Sequence, residues 1–399
     1  MDAYKKEQIE IMLTRGVSAI YPSKKEVFEM FSQNKKLTIY AGFDPTGPTL
    51  HLGHAISLLK LKDLQDLGHK VIFLVGDFTA MIGDPTDKSA TRQKLTKKEI
   101  LHNLKEYKKQ ASKIIHFSGR NSAEIKFNAK WLGKMNFHDV LELASMMTVG
   151  QMIERDMFQK RIEEGKPIFL HEFLYPLMQG YDSVAMKVDG EVGGNDQIFN
   201  MLVGRDLVKS ILKKEKFVIA NSLLTDSSGK KMGKTEGNML ALSDTPENMF
   251  GKVMSWSDDM IVKGFELCTR IPLLEIDSIK KGLEQNTLHP KHAKVQLALT
   301  IVKMFYSEKK AIEAHNLWEE TFSKGSIPEN VETITCKASE KLIDIFSENN
   351  IVSSKGEFRR LTETGSITHM DSNEKINNES LSISGTYKIG KKKFVKIKN

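Results

Sequence analysis

The sequence predicts an α/β protein built on a parallel sheet, and three observations carry that prediction. Two short runs, "KLTIYAGF" (36–43) and "KVIFLVGDF" (70–78), are almost continuously apolar, as strands covered on both faces are. Between them, Ile56, Leu59 and Leu67 fall on one face of a helix. Strand, helix and strand in that order make a βαβ unit, whose parallel strands need a helical crossover.

Taken in order, Thr49 is placed to cap that first helix and Gly68 to end it. Further strands are expected at 124–127, 183–188 and 217–220, alternating with helical stretches, so the α/β domain covers about 33–225. The segment 131–158, "WLGKMNFHDVLELASMMTVGQMIERDMF", carries apolar and Met-rich positions at helical spacing. Ordinary core helices explain it, and so does an insertion forming a subunit interface. Residues 244–323 read as mostly helical, and "GSIPENVETIT" (325–335) reads as a linker. The last segment opens with helix patterns and finishes on a short β-like, lysine-rich end.

A chain of 399 residues has room for two or three domains, and its 40% hydrophobic and 28% charged content is that of a globular protein. Lys and Arg number 59 against 51 Asp and Glu, a formal net charge of +8. That balance suits a polyanionic partner such as nucleic acid, or simply a lysine-rich solvated surface; charge alone leaves both open. Two cysteines, Cys268 and Cys336, make neither a disulfide framework nor a thiolate zinc site, which points to a reducing compartment. The start, "MDAYKKEQIEIML", does not read as a signal peptide, and no run approaches the roughly 18 apolar residues of a membrane span. A cytoplasmic protein without membrane association is expected.

The chemistry starts in "FDPTGPTLHLGHAISL" (43–58), which sets His51 and His54 three apart where a helix begins. A metal pair, a phosphate cradle and two locally packed histidines all suit that spacing. A metal needs more ligands, and only Asp44 is near in sequence. Context favours phosphate: the pair follows the carboxyl end of a strand, where open parallel sheets bind ligands and a helix offers unpaired N–H groups. Gly53 leaves room for a flat base against the backbone. Neither GxGxxG nor GxxxxGK[ST] follows the first strand, so positive charge must come from elsewhere. "SSGKKMGKTEG" (227–237), with Lys231 and Lys234, and "IGDPTDKSATR" (82–92), with Lys88 and Arg92, are the candidates. "YPLMQGYD" (175–182) puts Tyr175, Gln179 and Asp182 at i, i+4 and i+7, one face of a helix that lines a pocket or turns its polar side to water.

"HLGH" resembles the HIGH signature of class I aminoacyl-tRNA synthetases, and "KMGKT" resembles their KMSKS signature. With "YAGFDPTGPTLHLGH", "LYPLMQGYDSVAMKVDGEVGGNDQIFN" and the basic tail, the chain resembles the bacterial tyrosyl-tRNA synthetase family over nearly its whole length. The resemblance implies a homodimeric ligase with a Rossmann-like catalytic domain, acting on L-tyrosine, ATP and tRNA(Tyr), with Mg2+ only as the partner of ATP and no structural metal. It implies that Thr46 and His51 face the γ-phosphate region and His54 the ribose and adenine. Lys88, Arg92, Lys231 and Lys234 would close on the departing pyrophosphate, and Gly42, Asp44, Gly53, Gly194 and Asp196 would complete the ATP side. Tyr40 and Asp182 would flank the phenol, Asp84, Tyr175 and Gln179 would hold the α-ammonium, and Gln197 would reach the carboxyl end of the amino acid.

In the tail, "SSKGEFRRLTETGSI" and "YKIGKKKFVKIKN" resemble the family's small S-four-type RNA-binding domain, with Lys355, Arg359, Arg360, Lys391, Lys392 and Lys393 as its RNA contacts. The implied organisation is a catalytic domain at 1–225 with a dimer insert at about 118–160, the lysine loop and an α-helical domain at 226–325, a linker at 326–337 and an α+β RNA-binding domain at 338–399. Departures are few: Gly233 and Thr235 replace serines of KMSKS, Leu52 replaces Ile of HIGH, Asn195 stands where Thr or Ser is usual, and Ala41 offers ribose no side-chain bond. A tryptophanyl synthetase, another adenylyltransferase and a pure RNA-binding protein with a degenerate catalytic domain are the rivals.

Overall fold

A computed structural model describes residues 2–33, 35–83, 97–226, 229, 239–322, 331–337, 340–349, 351–372, 374–390 and 393–398, without the side chains of 97, 98, 100, 101 and 156. The chain divides into two compact units, Met1–Glu308 and Lys309–Asn399.

The described strands of the first unit are β1 (Val17–Tyr21), β2 (Thr38–Phe43), β3 (Lys70–Val75), β4 (Glu124–Phe127), β5 (Gly190–Gly194) and β6 (Phe217–Asn221). They form one sheet in the order β1-β6-β5-β2-β3-β4. β2 to β6 are mutually parallel, and β1 closes the edge antiparallel to β6. The chain runs outward from β2 to β3 and β4, then returns to the other side of β2 for β5 and β6. The strand order therefore reverses between β2 and β5, which opens a crevice beyond their carboxyl ends. This is an α/β Rossmann-like unit with helical insertions. Ile39 and Tyr40 in β2 and Val71 to Val75 in β3 are buried, in keeping with strands covered on both faces.

Two sequence expectations shift. The strand expected at 183–188 lies instead at Gly190–Gly194, because the Leu170–Met186 helix runs on through Ser183. Val184 in that helix packs with Val203 and Leu207, and the helix stops only at Lys187, in the left-handed region at φ 53. A strand written GEVGG carries little β signal. Its first glycine is dictated by tertiary contact, since a Cβ on Gly190 would overlap the Phe217 ring. The cap of the Leu52–Asp66 helix is His51, not Thr49: the His51 N–H donates to His54 Nδ1 at 3.1 Å, and His51 keeps extended backbone. Gly68 does end the helix, at φ 90.

The Met-rich segment forms short helices Ala129–Leu132, Phe137–Ala144, Val149–Ile153 and Asp156–Glu163. After β6 the first unit is helical from Pro246–Met254 to Pro290–Phe305. The second unit holds β7 (Glu332–Thr335), β8 (Ile367–His369), β9 (Glu374–Lys375), β10 (Gly385–Ile389) and β11 (Lys393–Lys398) in the order β7-β11-β10-β8-β9, with helices Leu342–Glu348 and Lys355–Glu363. Phe346 anchors its core edge-on to both Phe358 and Tyr387. β7 pairs in parallel with β11, so part of the stretch read as a linker is a strand. Only Ile334 of its four residues is buried, which leaves a short polar pattern behind.

The Leu170–Met186 helix carries three of the candidate site residues, and it crosses the Ile198–Leu212 helix at Gly180 and Gly204. A Cβ at Gly180 would lie 2.8 Å from Leu207 Cδ1, 3.0 Å from Val203 Cγ1 and 3.2 Å from the Gly204 nitrogen. Gly180→Val is expected to lower unfolding free energy by about 1–3 kcal/mol through overpacking, measured by urea denaturation.

Candidate active site

The site grows from the carboxyl end of β2. Past Phe43 the chain turns through Asp44, Pro45 and Thr46 before the His51 cap, and this loop is held mainly by side chains of the Lys97–Ala111 helix. Asn103 Nδ2 donates to Pro45 O at 2.9 Å, Tyr107 OH to Asp44 O at 3.2 Å, and Gln110 Nε2 to Pro48 O at 2.8 Å. Gln110 Oε1 in turn accepts the Leu50 N–H at 2.8 Å. Asn103, Tyr107 and Gln110 sit at i, i+4 and i+7, so one helix face supplies all four bonds. Each such bond contributes about 1 kcal/mol and, more to the point, fixes backbone beside the histidines.

His51 and His54 lie with ring centroids 3.8 Å apart. His54 Nδ1 accepts the His51 N–H, so in the neutral ring the proton is on Nε2, which is left as a donor. Burial, reinforced by His51, holds the His54 pKa well below the ordinary histidine value. His54 is thus a neutral imidazole at physiological pH. The cap is also paired from outside: Leu52 N–H donates to Leu240 O at 2.9 Å and Leu242 N–H to Leu50 O at 2.9 Å. The chain just after the KMGKT sequence is therefore stitched to the HLGH turn. Lys113 Nζ, at 2.7 Å from Leu242 O, and Lys252 Nζ, at 3.0 Å from Met239 O, brace the same segment.

Across the crevice, the Asp44 carboxylate accepts from Thr79 Oγ1 at 2.7 Å and from Tyr175 OH at 2.8 Å. A Cβ on Gly76 would occupy the space of that carboxylate, so this glycine at the end of β3 is required. Asp182, seven residues on from Tyr175, is buried and accepts from Trp131 Nε1 at 2.7 Å and Asn128 Nδ2 at 3.3 Å. Burial drives its pKa well above the carboxylate range; the Trp131 and Asn128 bonds oppose this, and the nearby Glu191 and Asp44 add to it. Tyr40 is fully buried with its hydroxyl 2.9 Å from Ser183 Oγ, and burial, with Glu191 beside it, raises its pKa.

Gln179 Nε2 donates to Glu191 Oε1 at 3.2 Å, while Asn200 Nδ2 donates to Gln179 Oε1 at 2.9 Å and Gln197 Oε1 at 3.0 Å. Gly194 gives room to Asp196, whose Oδ1 would lie 2.5 Å from a Cβ there. Asn195 turns instead to β1, accepting from Ser18 Oγ at 2.8 Å.

The structure thus brings Tyr40 within β2, and Gly42, Asp44, Thr46, His51, Gly53 and His54 at and beyond its end, together with Tyr175, Gln179 and Asp182 of one helix and Gly194, Asp196 and Gln197 at and just past the end of β5. Asp84, Lys88, Arg92, Lys231 and Lys234 lie outside the described residues, as do Lys391 and Lys392. In the second unit, Arg359 and Arg360 are exposed on the Lys355–Glu363 helix, Lys355 pairs with Asp344 at 2.6 Å, and Lys393 Nζ donates to Ile351 O at 2.6 Å. Among the described residues no group of His, Cys, Asp and Glu is arranged to hold a metal ion.

Comparison with known proteins identifies the family. The family description "tRNA synthetases class I (W and Y)" matches residues 32–323. The tyrosine–tRNA ligase of Desulfotalea psychrophila is 42% identical over 98% of both chains, and that of Thermotoga maritima is 39% identical over 98% of this chain and 97% of its own. The chain belongs to the tyrosine–tRNA ligase family of class I synthetases. Solved structures share the fold: a C-terminally truncated mitochondrial tyrosyl-tRNA synthetase from Aspergillus nidulans superposes with a TM-score of 0.65 at 24% identity, covering 79% of this chain and 94% of its own. A tyrosyl-tRNA synthetase from Archaeoglobus fulgidus, complexed with L-tyrosine, gives 0.61 at 19% identity, over 78% of this chain and 99% of its own.

The sequence reading omitted Thr79, Asn128, Trp131, Ser183, Glu191, Asn200 and Lys216, which hold the site residues in place. Only Glu191, a charge set between Gly190 and the Gly193–Gly194 pair, stands out in the sequence.

The depressed His54 pKa has a thermodynamic consequence. Below about pH 6.5 the unfolded chain takes up a proton at this histidine that the native site refuses, so stability is lost as pH falls through that range. Urea unfolding of wild type and His54→Gln at a series of pH values should show the wild type losing more stability between about pH 7.5 and pH 5.

Proposed function

We infer that the chain catalyses the two-step tyrosine–tRNA ligase reaction. In the first step a tyrosine carboxylate oxygen bonds to the α-phosphorus of ATP and pyrophosphate leaves. In the second, a hydroxyl of the terminal adenosine of tRNA(Tyr) takes the tyrosyl group and AMP leaves. The carboxylate is already ionised near neutral pH, so the first step needs no general base. It needs donors and cations aimed at the charge that builds on the phosphates in the in-line transition state.

The observation that carries this reading is the pairing of Leu240 and Leu242 with Leu52 and Leu50. It fixes the end of the lysine-bearing segment against the histidine turn. Lys234 is six residues before Leu240, so the extended chain between them reaches about 20 Å at most. We propose that Lys231 and Lys234, with Lys88 and Arg92, grip the pyrophosphate, that Thr46 and His51 contact the γ-phosphate side, and that His54 donates through Nε2 toward the ribose and adenine. Gly42, Asp44, Gly53, Gly194 and Asp196 complete the nucleotide side, and Mg2+ arrives with ATP.

Tyr40 and Asp182 flank the phenol, Asp84, Tyr175 and Gln179 take the α-ammonium, and Gln197 the carboxyl end. Each Asp182 oxygen already accepts one bond and can accept one more; a phenol hydroxyl fills that remaining position and phenylalanine does not, so phenylalanine is penalised.

Phe137, Leu141 and Val149, at 77%, 53% and 64% exposure, support a homodimer formed through the insert at about 118–160. The exposed Arg359 and Arg360 and the lysines of the tail support tRNA binding by residues 338–399. The described residues contain no helix long and apolar enough to cross a membrane, and cytoplasmic work on tRNA is the setting proposed.

ATP–pyrophosphate exchange with each of the twenty amino acids tests the assignment: tyrosine alone should stimulate it, and stimulation by tryptophan or by none would overturn it. In the same assay Lys234→Ala should slow adenylate formation about 10²–10³-fold, the loss expected for one preorganised donor, with tyrosine binding little changed. Truncation before residue 338 should spare exchange and depress tRNA charging at least about tenfold, the measurable sign of lost phosphate contacts.

A further inference from the structure

Beneath the amino-acid pocket lies an ion pair that the reaction as described does not use. Lys216, just ahead of β6, and Glu191 of β5 are 0% and 3% exposed at their side chains, and Lys216 Nζ is bonded to Glu191 Oε2. Burying two charges is expensive, and apolar residues of similar volume often serve stability as well or better. The pair is therefore better explained by what it holds in place than by the stability it adds.

What it touches is specific. Glu191 is the register partner of Tyr40 on the neighbouring strand. Its second oxygen accepts from Gln179 Nε2 at 3.2 Å, while Asn200 occupies the other end of the same amide at 2.9 Å. Gln179 is thus held at both ends, and the orientation of its amide is set by a carboxylate that can only accept. Lys216 Nζ also donates to Met201 O at 3.2 Å and stands 5.8 Å from the centre of the Tyr40 ring. The space for this ammonium exists because residue 204 is glycine: a Cβ there would come within 2.6 Å of Nζ and 3.0 Å of Ser183 Oγ, the partner of the Tyr40 hydroxyl.

We propose that the Lys216–Glu191 pair is a specificity-determining positioning element, which orients Gln179 toward the α-ammonium and Tyr40 toward the phenol of tyrosine, and through Tyr40 sets discrimination against phenylalanine. It rests on the reading that Tyr40, Gln179 and Asp182 line the amino-acid pocket. Neither Lys216 nor Glu191 is assigned a substrate contact; both act through the residues they fix. In Glu191→Gln one oxygen can still accept from Gln179, but an NH2 group replaces the acceptor that faced the ammonium. The local donor pattern then no longer closes. Removing both charges, with Lys216→Met and Glu191→Gln together, leaves no unpaired buried ion, so this variant is expected to fold.

The test is steady-state ATP–pyrophosphate exchange by the full-length protein, with thermal unfolding as the control for folding. Both variants should raise the tyrosine KM about tenfold or more and cut the tyrosine-to-phenylalanine ratio of kcat/KM by a similar factor, while the ATP KM stays within about twofold. A purely structural role predicts no such split. If both variants melt near the wild-type temperature and keep the tyrosine KM and the ratio, while Asp182→Asn loses tyrosine, the positioning role is overturned and the pocket stands. If Asp182→Asn also keeps its tyrosine KM, the pocket reading fails and the proposal falls with it. A parallel rise in tyrosine and ATP KM would mark general distortion and would likewise overturn it.

Discussion

The reversal of strand order between β2 and β5 is the constraint from which the chemistry follows. A parallel sheet built outward in both directions from its middle leaves a crevice that no crossover helix covers, and every strand bordering it ends there. β2 delivers Asp44 and the histidine turn, β3 delivers Gly76, and β5 delivers Gly194 and Asp196. The ends of β2 and β3 are distant in sequence from the Leu170–Met186 helix, yet Tyr175 reaches Asp44 across the gap at 2.8 Å. A different strand order would scatter the same residues over the sheet.

Within the crevice the polar groups are arranged so that few carry unbalanced charge. His54 is neutral because it is buried, and it keeps a single directed donor. Asp44 and Asp182 each accept from two neutral donors, which lowers the cost of keeping a carboxylate away from water. The two carboxylates stand in different company: Asp44 is held by hydroxyls, and Asp182 by the Trp131 and Asn128 nitrogens. Both sets are rigid side chains anchored in helices or short turns. Such a site supplies hydrogen bonds already aimed, so little reorganisation is needed when substrate enters.

How much of this the sequence discloses depends on which interactions are local. The strands at 36–43 and 70–78 are legible because their apolar runs are continuous, and the helix face of Tyr175, Gln179 and Asp182 because 3.6-residue periodicity survives in the sequence. The histidine turn is legible by resemblance. β5 is misplaced because its first glycine answers to Phe217, which is distant in the chain, while the apolar end of the preceding helix imitates a strand. β7 hides in a polar stretch because its only buried side chain is Ile334. Asn103, Tyr107 and Gln110 show the same limit: their i, i+4, i+7 spacing is visible, but that their bonds go to the backbone of 44–50 is a tertiary fact.

The buried residues that sequence reading passes over share one property: each satisfies another polar group rather than a substrate. Asn128 uses its amide oxygen for the Phe78 N–H and its nitrogen for Thr79 and Asp182, which ties the end of β3 to the Asp182 carboxylate. Glu191 does the same between Gln179 and Lys216. A pocket that must tell a phenol from a benzene ring depends on the wrong ligand leaving a buried polar group unpaired. That penalty is only as large as the pocket is rigid, since a mobile acceptor would find water or a neighbour instead. With Tyr40 and Asp182 facing the phenol as proposed, the amides, indole and buried ions that hold them become the physical source of selectivity.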